Sequence, residues 1–285
     1  MKKLIFCGWL MATIAPVCVY ASSPKVLIWD LGGVLVSNSK LTYVNSIGFK
    51  PIISYMVKEK TAPWRFSAHI QRRVFEVLQA VPIEEHCIAE GSCIPGGIVM
   101  PPVLWAFQAG LLTSEECVLR AEGVMLDLHS KGHFKNLAEK NLIERVIRAA
   151  FTPSLSVLSC NIRTETMKIV RSLAAQRHPD GTRKYKLFVL SNWDPWSFVH
   201  IRKKFFKELA CFDDVIISGD IKLMKPMPEI FSHVLEKHKV SKEECIFIDD
   251  QLENIEGART FGIKHPLHYT SSISLRRQLR RLKIL

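Results

Sequence analysis

The sequence predicts an α/β protein, a doubly wound parallel sheet with a helical domain inserted after the first strand. Three observations carry that prediction. Val26-Leu27-Ile28-Trp29 is a continuous apolar run that ends in Asp30 and the pair Gly32-Gly33, the pattern of a strand buried on both faces. From about residue 160 onward, short apolar runs alternate with stretches of helical periodicity, as in a sheet wrapped by crossover helices. Between the two, the chain shows helical spacing and no apolar run strong enough to extend a sheet. The expected layout is a core made of residues 22–38 and 160–285, interrupted by a helical insert over 39–159.

The chain opens with Lys2 and Lys3, an uncharged apolar stretch from Leu4 to Tyr20, and the small-residue pattern Val19-Tyr20-Ala21. That order reads as an export signal over residues 1–21. A membrane span needs roughly 20 apolar residues, and this stretch is shorter and contains Pro16. The first strand also begins at about Lys25, which leaves an anchored sheet almost no linker. Lipidation at Cys18 fits poorly with Pro16 and Val17 before it. The mature protein is therefore expected outside the cytoplasm, periplasmic or secreted.

Cleavage would remove two lysines from a chain of formal charge +12, leaving a surplus that attracts anions over a Debye length of roughly 8–10 Å. Six of the eight cysteines would remain. Cys87 and Cys93 bracket a short loop and are the expected local disulfide, while the others read as small buried apolar groups. No paired spacing suits a zinc site, and the apolar content, at 48%, is too high for a disordered chain.

In order along the chain, Ser37-Asn38-Ser39 reads as a turn. Phe66, Ile70, Val74 and Val77 then recur at helical spacing, as do Ile143, Val146, Ile147 and Ala150, with a Gly/Pro-rich loop from Ile94 to Pro102 between them. A helix over Thr164–Arg177 leads to a turn at His178-Pro179-Asp180-Gly181. Strands follow at 187–190, 215–217, 246–248 and 265–267, each separated from the next by a helix. The terminal stretch 275–285 places Leu275, Leu279 and Leu282 on one side and five basic residues on the other. Its narrow apolar stripe suits a closing helix packed on the sheet, its basic face in water, better than a membrane or nucleic-acid arm.

Three of the apolar runs end in polar groups: Asp30, then Ser191 and Asn192, then Asp249 and Asp250. Lys225 stands before a helix between the last two. Each group alone has a plain structural reading as a turn, a surface charge or a solvated loop. In a parallel sheet, however, all of them fall at the carboxyl edge, where ligands bind. Paired acids facing a hydroxyl and a cation are what phosphoryl transfer to a carboxylate requires: one acid as nucleophile, and a hard divalent ion to neutralise the phosphate.

These residues give the chain its resemblance to the haloacid dehalogenase (HAD) superfamily of hydrolases. The four motifs stand in order as Asp30-Leu31-Gly32-Gly33-Val34-Leu35, Leu190-Ser191-Asn192, Lys225-Pro226-Met227-Pro228-Glu229-Ile230-Phe231, and Phe247 to Ala258 with Asp249-Asp250 and Asn254 inside it. Within the superfamily the first motif resembles that of sugar-phosphate phosphatases, and the insert matches in position the helical cap that many members carry. The resemblance implies a Rossmann-like core, a Mg²⁺ cofactor and an aspartyl-phosphate intermediate on Asp30. Mg²⁺ would be held by Asp30, the Gly32 carbonyl and Asp250. Ser191, Asn192 and Lys225 would clamp the phosphoryl group. Asp249 would orient Lys225 or a metal-bound water, with Asn254 in support behind it.

The first motif departs from the family pattern at Gly32, where most family phosphatases carry a second aspartate as general acid and base, a contribution of roughly 10²- to 10⁴-fold. Its absence matters least for a fair leaving group, such as the anomeric oxygen of a sugar 1-phosphate or an acyl phosphate, or where another acid such as Asp194 substitutes. The expected partner is a small-molecule phosphate ester, with no nucleic acid and no membrane contact beyond the export signal. Two other readings stand beside the phosphatase: a 2-haloacid dehalogenase using the same aspartate on carbon, and a weakly catalytic or non-catalytic phosphate-binding protein.

Overall fold

The computed structural model describes residues 25–39, 47–58, 63–84 and 100–285; the expected export signal and the Cys87–Cys93 pair lie outside them. Seven strands form among the described residues: β1 Val26–Trp29, β2 Val36–Asn38, β3 Cys160–Ile162, β4 Lys186–Ser191, β5 Asp214–Ile217, β6 Cys245–Asp249 and β7 His265–His268. Five of them make one sheet in the order β5-β4-β1-β6-β7, and every pairing in it is parallel. Helices over Pro195–Lys204, Pro228–His238 and Leu252–Phe261 are the crossovers between successive strands, as parallel pairing demands. The predicted α/β class is the observed one.

Both faces of the sheet are covered, which is why its strands read as unbroken apolar runs. Leu27, Trp29, Leu187, Val189, Ile246 and Ile248 point to one face and join the cluster under Met167 and Val170 of the helix Thr164–Ala174. Val26, Ile28, Phe188, Leu190, Cys245 and Phe247 alternate to the other face, against Ile230, Phe231 and Val234 of the helix Pro228–His238. The closing helix Ser272–Arg281 buries Leu275 and Leu279 in the first cluster and leaves Arg277, Arg280 and Arg281 exposed.

The segment between β2 and β3 is helical where it is described, with helices Phe49–Lys58, Pro63–Gln79, Pro102–Gln108, Ser114–Ser130, Leu137–Phe151 and Pro153–Leu158. It has an apolar core of its own, with Tyr55, Val77, Val103, Cys117, Leu142 and Ile143 buried together. Local sequence sets the helix starts: Thr113 and Glu116 form a reciprocal capping box, and the Asn136 side chain accepts from the Glu139 N–H, which satisfies donors left open at a helix N-terminus. The buried Glu139 carboxylate meets His69 at 3.1 Å and Arg73 at 3.4 Å, tying two of these helices together.

The expected turn at Ser37-Asn38-Ser39 is instead largely strand. β2 pairs antiparallel with β3, Val36 opposite Ile162 and Asn38 opposite Cys160. Its partner lies on the far side of the insert, so no local pattern announces the pairing. The consequence is that the chain leaves and rejoins the core at one two-stranded ribbon. Among the described residues no helix is long and apolar enough to cross a membrane, and Cys117, Cys160, Cys211 and Cys245 form no disulfide, three of them being buried.

Candidate active site

The sheet register brings the polar strand ends together. Trp29 is level with Val189 on one side and Ile248 on the other, so Asp30, Leu190-Ser191 and Asp249 emerge at the same edge. At their centre is Lys225, almost wholly buried. Its ammonium donates to Asp30 Oδ1 at 2.6 Å, Asp249 Oδ2 at 2.7 Å and the Leu190 carbonyl at 3.0 Å, which uses all three of its protons. Burial opposes the charge, yet Asp249 and Asp30 overcome it and hold Lys225 above the usual ammonium range.

Asp249 is held from behind. Its Oδ1 accepts from the Gln251 N–H at 2.8 Å and the Asn254 amide at 3.0 Å, and its Oδ2 from the same amide at 3.1 Å. With both oxygens engaged, Asp249 orients Lys225. Burial, opposed by Lys225 and reinforced by Asp249 and Asp250, pushes the Asp30 carboxyl up to about 7.

Asp30, Asp249 and Asp250 each offer an oxygen within 4.8 Å of the others. One ammonium against three carboxylates leaves a surplus of negative charge. Burial, and then the neighbouring Asp249, raise the Asp250 carboxyl, and its Oδ1 is buried without a hydrogen-bond partner. A buried carboxylate oxygen with no partner is costly. The donor set, hard oxygens on converging strand ends, suits a divalent cation. Gly33 makes room for the Asp250 carboxylate: at φ 77° it approaches Asp250 so closely that a side chain could not be accommodated.

Ser191 is buried and lines a cavity of about 510 Å³ with Asp30, Gly32, Lys225 and Asp250. Asn192 lines the same cavity and also grips the lysine's main chain. Its amide donates to the Lys225 carbonyl at 2.8 Å and its oxygen accepts from the Lys225 N–H at 2.9 Å, so the side chain clamps the lysine's backbone and spends one of its two amide protons in doing so. Asp194, half a turn on, accepts from the Ser197 N–H at 2.7 Å and caps the helix Pro195–Lys204. Burial raises its carboxyl.

The cavity has further walls that sequence reasoning did not single out. Leu104, Phe107, Gln108 and Ala150 of the insert close one side, and the Ser218 hydroxyl ties the two parts, donating to the Gln108 carbonyl at 2.7 Å and accepting from the Trp193 N–H at 2.9 Å. Trp193 lies against Gly32. Arg163, which follows β3, also lines the cavity; a lone arginine ahead of a helix carries no signal in the sequence.

A family model described as haloacid dehalogenase-like hydrolase matches residues 24–262. A sesquiterpene phosphatase of Aspergillus oryzae is 32% identical over 96 residues, 34% of this chain and 48% of that protein. A drimenol cyclase of Aspergillus calidoustus is 32% identical over 68 residues, 24% of this chain and 13% of that protein. The chain thus matches less than half the length of either curated relative. Among solved structures, a HAD family enzyme of Bacteroides thetaiotaomicron in complex with magnesium and inorganic phosphate is similar at 22% identity and TM-score 0.47, over 87% of this chain and 96% of that one. An L-2-haloacid dehalogenase of Xanthobacter autotrophicus is similar at 16% identity and TM-score 0.44, over 92% of this chain and 84% of that one.

Proposed function

The chain belongs to the haloacid dehalogenase-like hydrolases, and on that premise we propose that it is a Mg²⁺-dependent phosphatase that passes the phosphoryl group of a small phosphate ester to Asp30 and then to water. The observation that carries this reading is the buried, partnerless Asp250 Oδ1 beside two further carboxylates. It calls for a cation, which phosphoryl transfer needs and displacement of halide from carbon does not. The partial likeness to a sesquiterpene phosphatase supports a phosphate ester over a carbon–halogen bond.

Asp30 is the nucleophile in this reading. Lys225 fixes one of its oxygens, Oδ1, and leaves Oδ2 to attack phosphorus. The Ser191 hydroxyl and the buried ammonium face the phosphoryl oxygens. Asn192 and Asp249 act through Lys225, one holding its backbone and the other its side chain. Asp30, Asp250 and the Gly32 carbonyl would hold Mg²⁺, which supplies charge neutralisation for the phosphate when bound. The helical insert, whose Phe107 and Gln108 wall the cavity, would act as the cap that selects the leaving group.

The test is a panel of phosphate esters, sugar phosphates among them, assayed with and without Mg²⁺ on the wild type and Asp30→Asn. Turnover that needs both Mg²⁺ and Asp30 supports the phosphatase. Chloride release from a 2-haloacid without metal would replace it with a dehalogenase, and phosphate binding without turnover would replace it with a binding protein. Residues 1–21 would direct export in this reading, so the mature chain recovered from an exporting host should begin at Ser22.

A further inference from the structure

We propose that Arg163 recognises a second negative charge on the leaving group, and that the preferred substrate is the terminal phosphoryl group of a diphosphate ester. The proposal rests on the phosphoryl-transfer reading above and adds the class of leaving group.

The first argument is a shortage of acids. Among the described residues lining the cavity, the carboxylates are Asp30, Asp194 and Asp250, and there is no histidine, tyrosine, cysteine or glutamate. Asp30 attacks and Asp250 belongs with the cation. Asp194 is committed to its helix cap, and the three protons of Lys225 are all engaged. Among the described residues no uncommitted acid stands ready to protonate a departing alkoxide, which favours a leaving group stable as an anion.

This shortage is not forced by the backbone. A Cβ built at Gly32 would stand 3.8 Å from the Trp193 ring and 3.9 Å from Asp30 Oδ2, ordinary contacts beside the very oxygen that attacks. The position that could carry an acid is open and carries none.

The second argument is a cation whose donors are uncommitted among the described residues. Arg163 is exposed and lines the same cavity as Asp250; among the described residues its guanidinium makes no ion pair or hydrogen bond, and the acid its charge reaches is Asp250, which belongs with the cation. A guanidinium presents a planar fork that matches phosphate oxygens in pairs. A departing phosphate monoester has its second pKa near about 6, so at neutral pH it leaves without a proton and arrives as the dianion such a fork binds.

The atoms balance. Asp30 Oδ2 bonds to the terminal phosphorus and the bridging P–O bond breaks, its electron pair leaving on the phosphate monoester. Water then bonds to that phosphorus, the bond to Asp30 breaks with its pair returning to the carboxylate, and of the water's two protons one stays on inorganic phosphate while the other passes to a second phosphate oxygen or to solvent.

The experiment compares kcat/KM, with Mg²⁺, for an alkyl diphosphate, the matching alkyl monophosphate and p-nitrophenyl phosphate, whose phenolate departs without help. The diphosphate should exceed the alkyl monophosphate by about 10²-fold, the low end of what a missing general acid costs. Arg163→Ala should cut the diphosphate rate by roughly 10- to 100-fold, as loss of a charge-assisted phosphate contact implies, leave p-nitrophenyl phosphate within about threefold, and recover in part as Arg163→Lys. Methylenediphosphonate should bind Asp30→Asn protein more weakly by a similar factor when Arg163→Ala is added, with inorganic phosphate unaffected. Equal diphosphate and monophosphate rates, or an equal loss on all substrates in Arg163→Ala, would overturn the assignment while the phosphatase stands. If wild type fails to hydrolyse even p-nitrophenyl phosphate, both fall.

Discussion

A Cβ at Gly33 would lie 2.0 Å from Asp250 Oδ2, so the first motif needs a glycine because the last motif places a carboxylate against it. The two residues are far apart in sequence, and the backbone at Gly33 has φ 77°, which side chains adopt only with strain. Gly33→Ala must push Asp250 aside. A displacement near 1 Å in a catalytic constellation costs about 10²-fold, and Mg²⁺-dependent turnover should fall by at least that factor, with a lower thermal midpoint. Gly32→Ala, with open space and no left-handed backbone, should gain about 0.4–1 kcal/mol from the stiffer unfolded chain. Thermal unfolding of the two variants side by side checks the contrast.

Gly32→Asp tests the same pair of positions from the chemical side. Its carboxyl would start next to Asp30 Oδ2, where an acid can reach the departing oxygen. The rate on a primary alkyl phosphate should rise by roughly 10- to 100-fold, part of what general acid catalysis can provide, while p-nitrophenyl phosphate gains little. An unchanged ratio of the two rates would mean that protonation of the leaving group does not limit this enzyme.

Asn192 should matter through Lys225. Asn192→Ala removes both hydrogen bonds to the lysine backbone and leaves those groups unpaired, a loss of about 1–3 kcal/mol in stability. Turnover should fall with it, because the ammonium that fixes Asp30 shifts. Asn192→Asp keeps the acceptor for the Lys225 N–H but turns an oxygen on the Lys225 carbonyl, and should recover only part of the loss. Equal activity in Asn192→Ala and wild type would remove the clamp from the account.

Asp30, Ser191, Lys225, Asp249 and Asp250 were legible in the sequence for one reason. Each ends an apolar run or opens a helix, and parallel strands put such ends at one edge. That Asn192 also clamps the Lys225 main chain was not legible, because motif position says which residue is near and not which way its amide points. The β2–β3 ribbon was hidden by distance, since Val36 and Ile162 lie on opposite sides of the insert. Arg163 is one of 39 lysines and arginines, and only the cavity wall separates it from the rest.

The charge surplus around Lys225 predicts that Asp30 destabilises the metal-free protein. The Asp30 carboxyl is raised from 3.8 to about 7 by burial and by its acidic neighbours. A raised acid binds more protons folded than unfolded between those two values, so its contribution weakens the fold as pH climbs from about 4 to about 7 and is constant above. Asp30→Asn has no such proton to lose. In chelator the thermal midpoints of the two proteins should be close near pH 4, and the variant should become progressively the more stable up to about pH 7, even though it lacks the proposed nucleophile. Adding Mg²⁺ should reverse the order at pH 8, because the cation meets the carboxylates that repel one another and finds one fewer in the variant. Parallel melting curves with pH would sink this account if the wild type stayed the more stable at pH 8 in chelator.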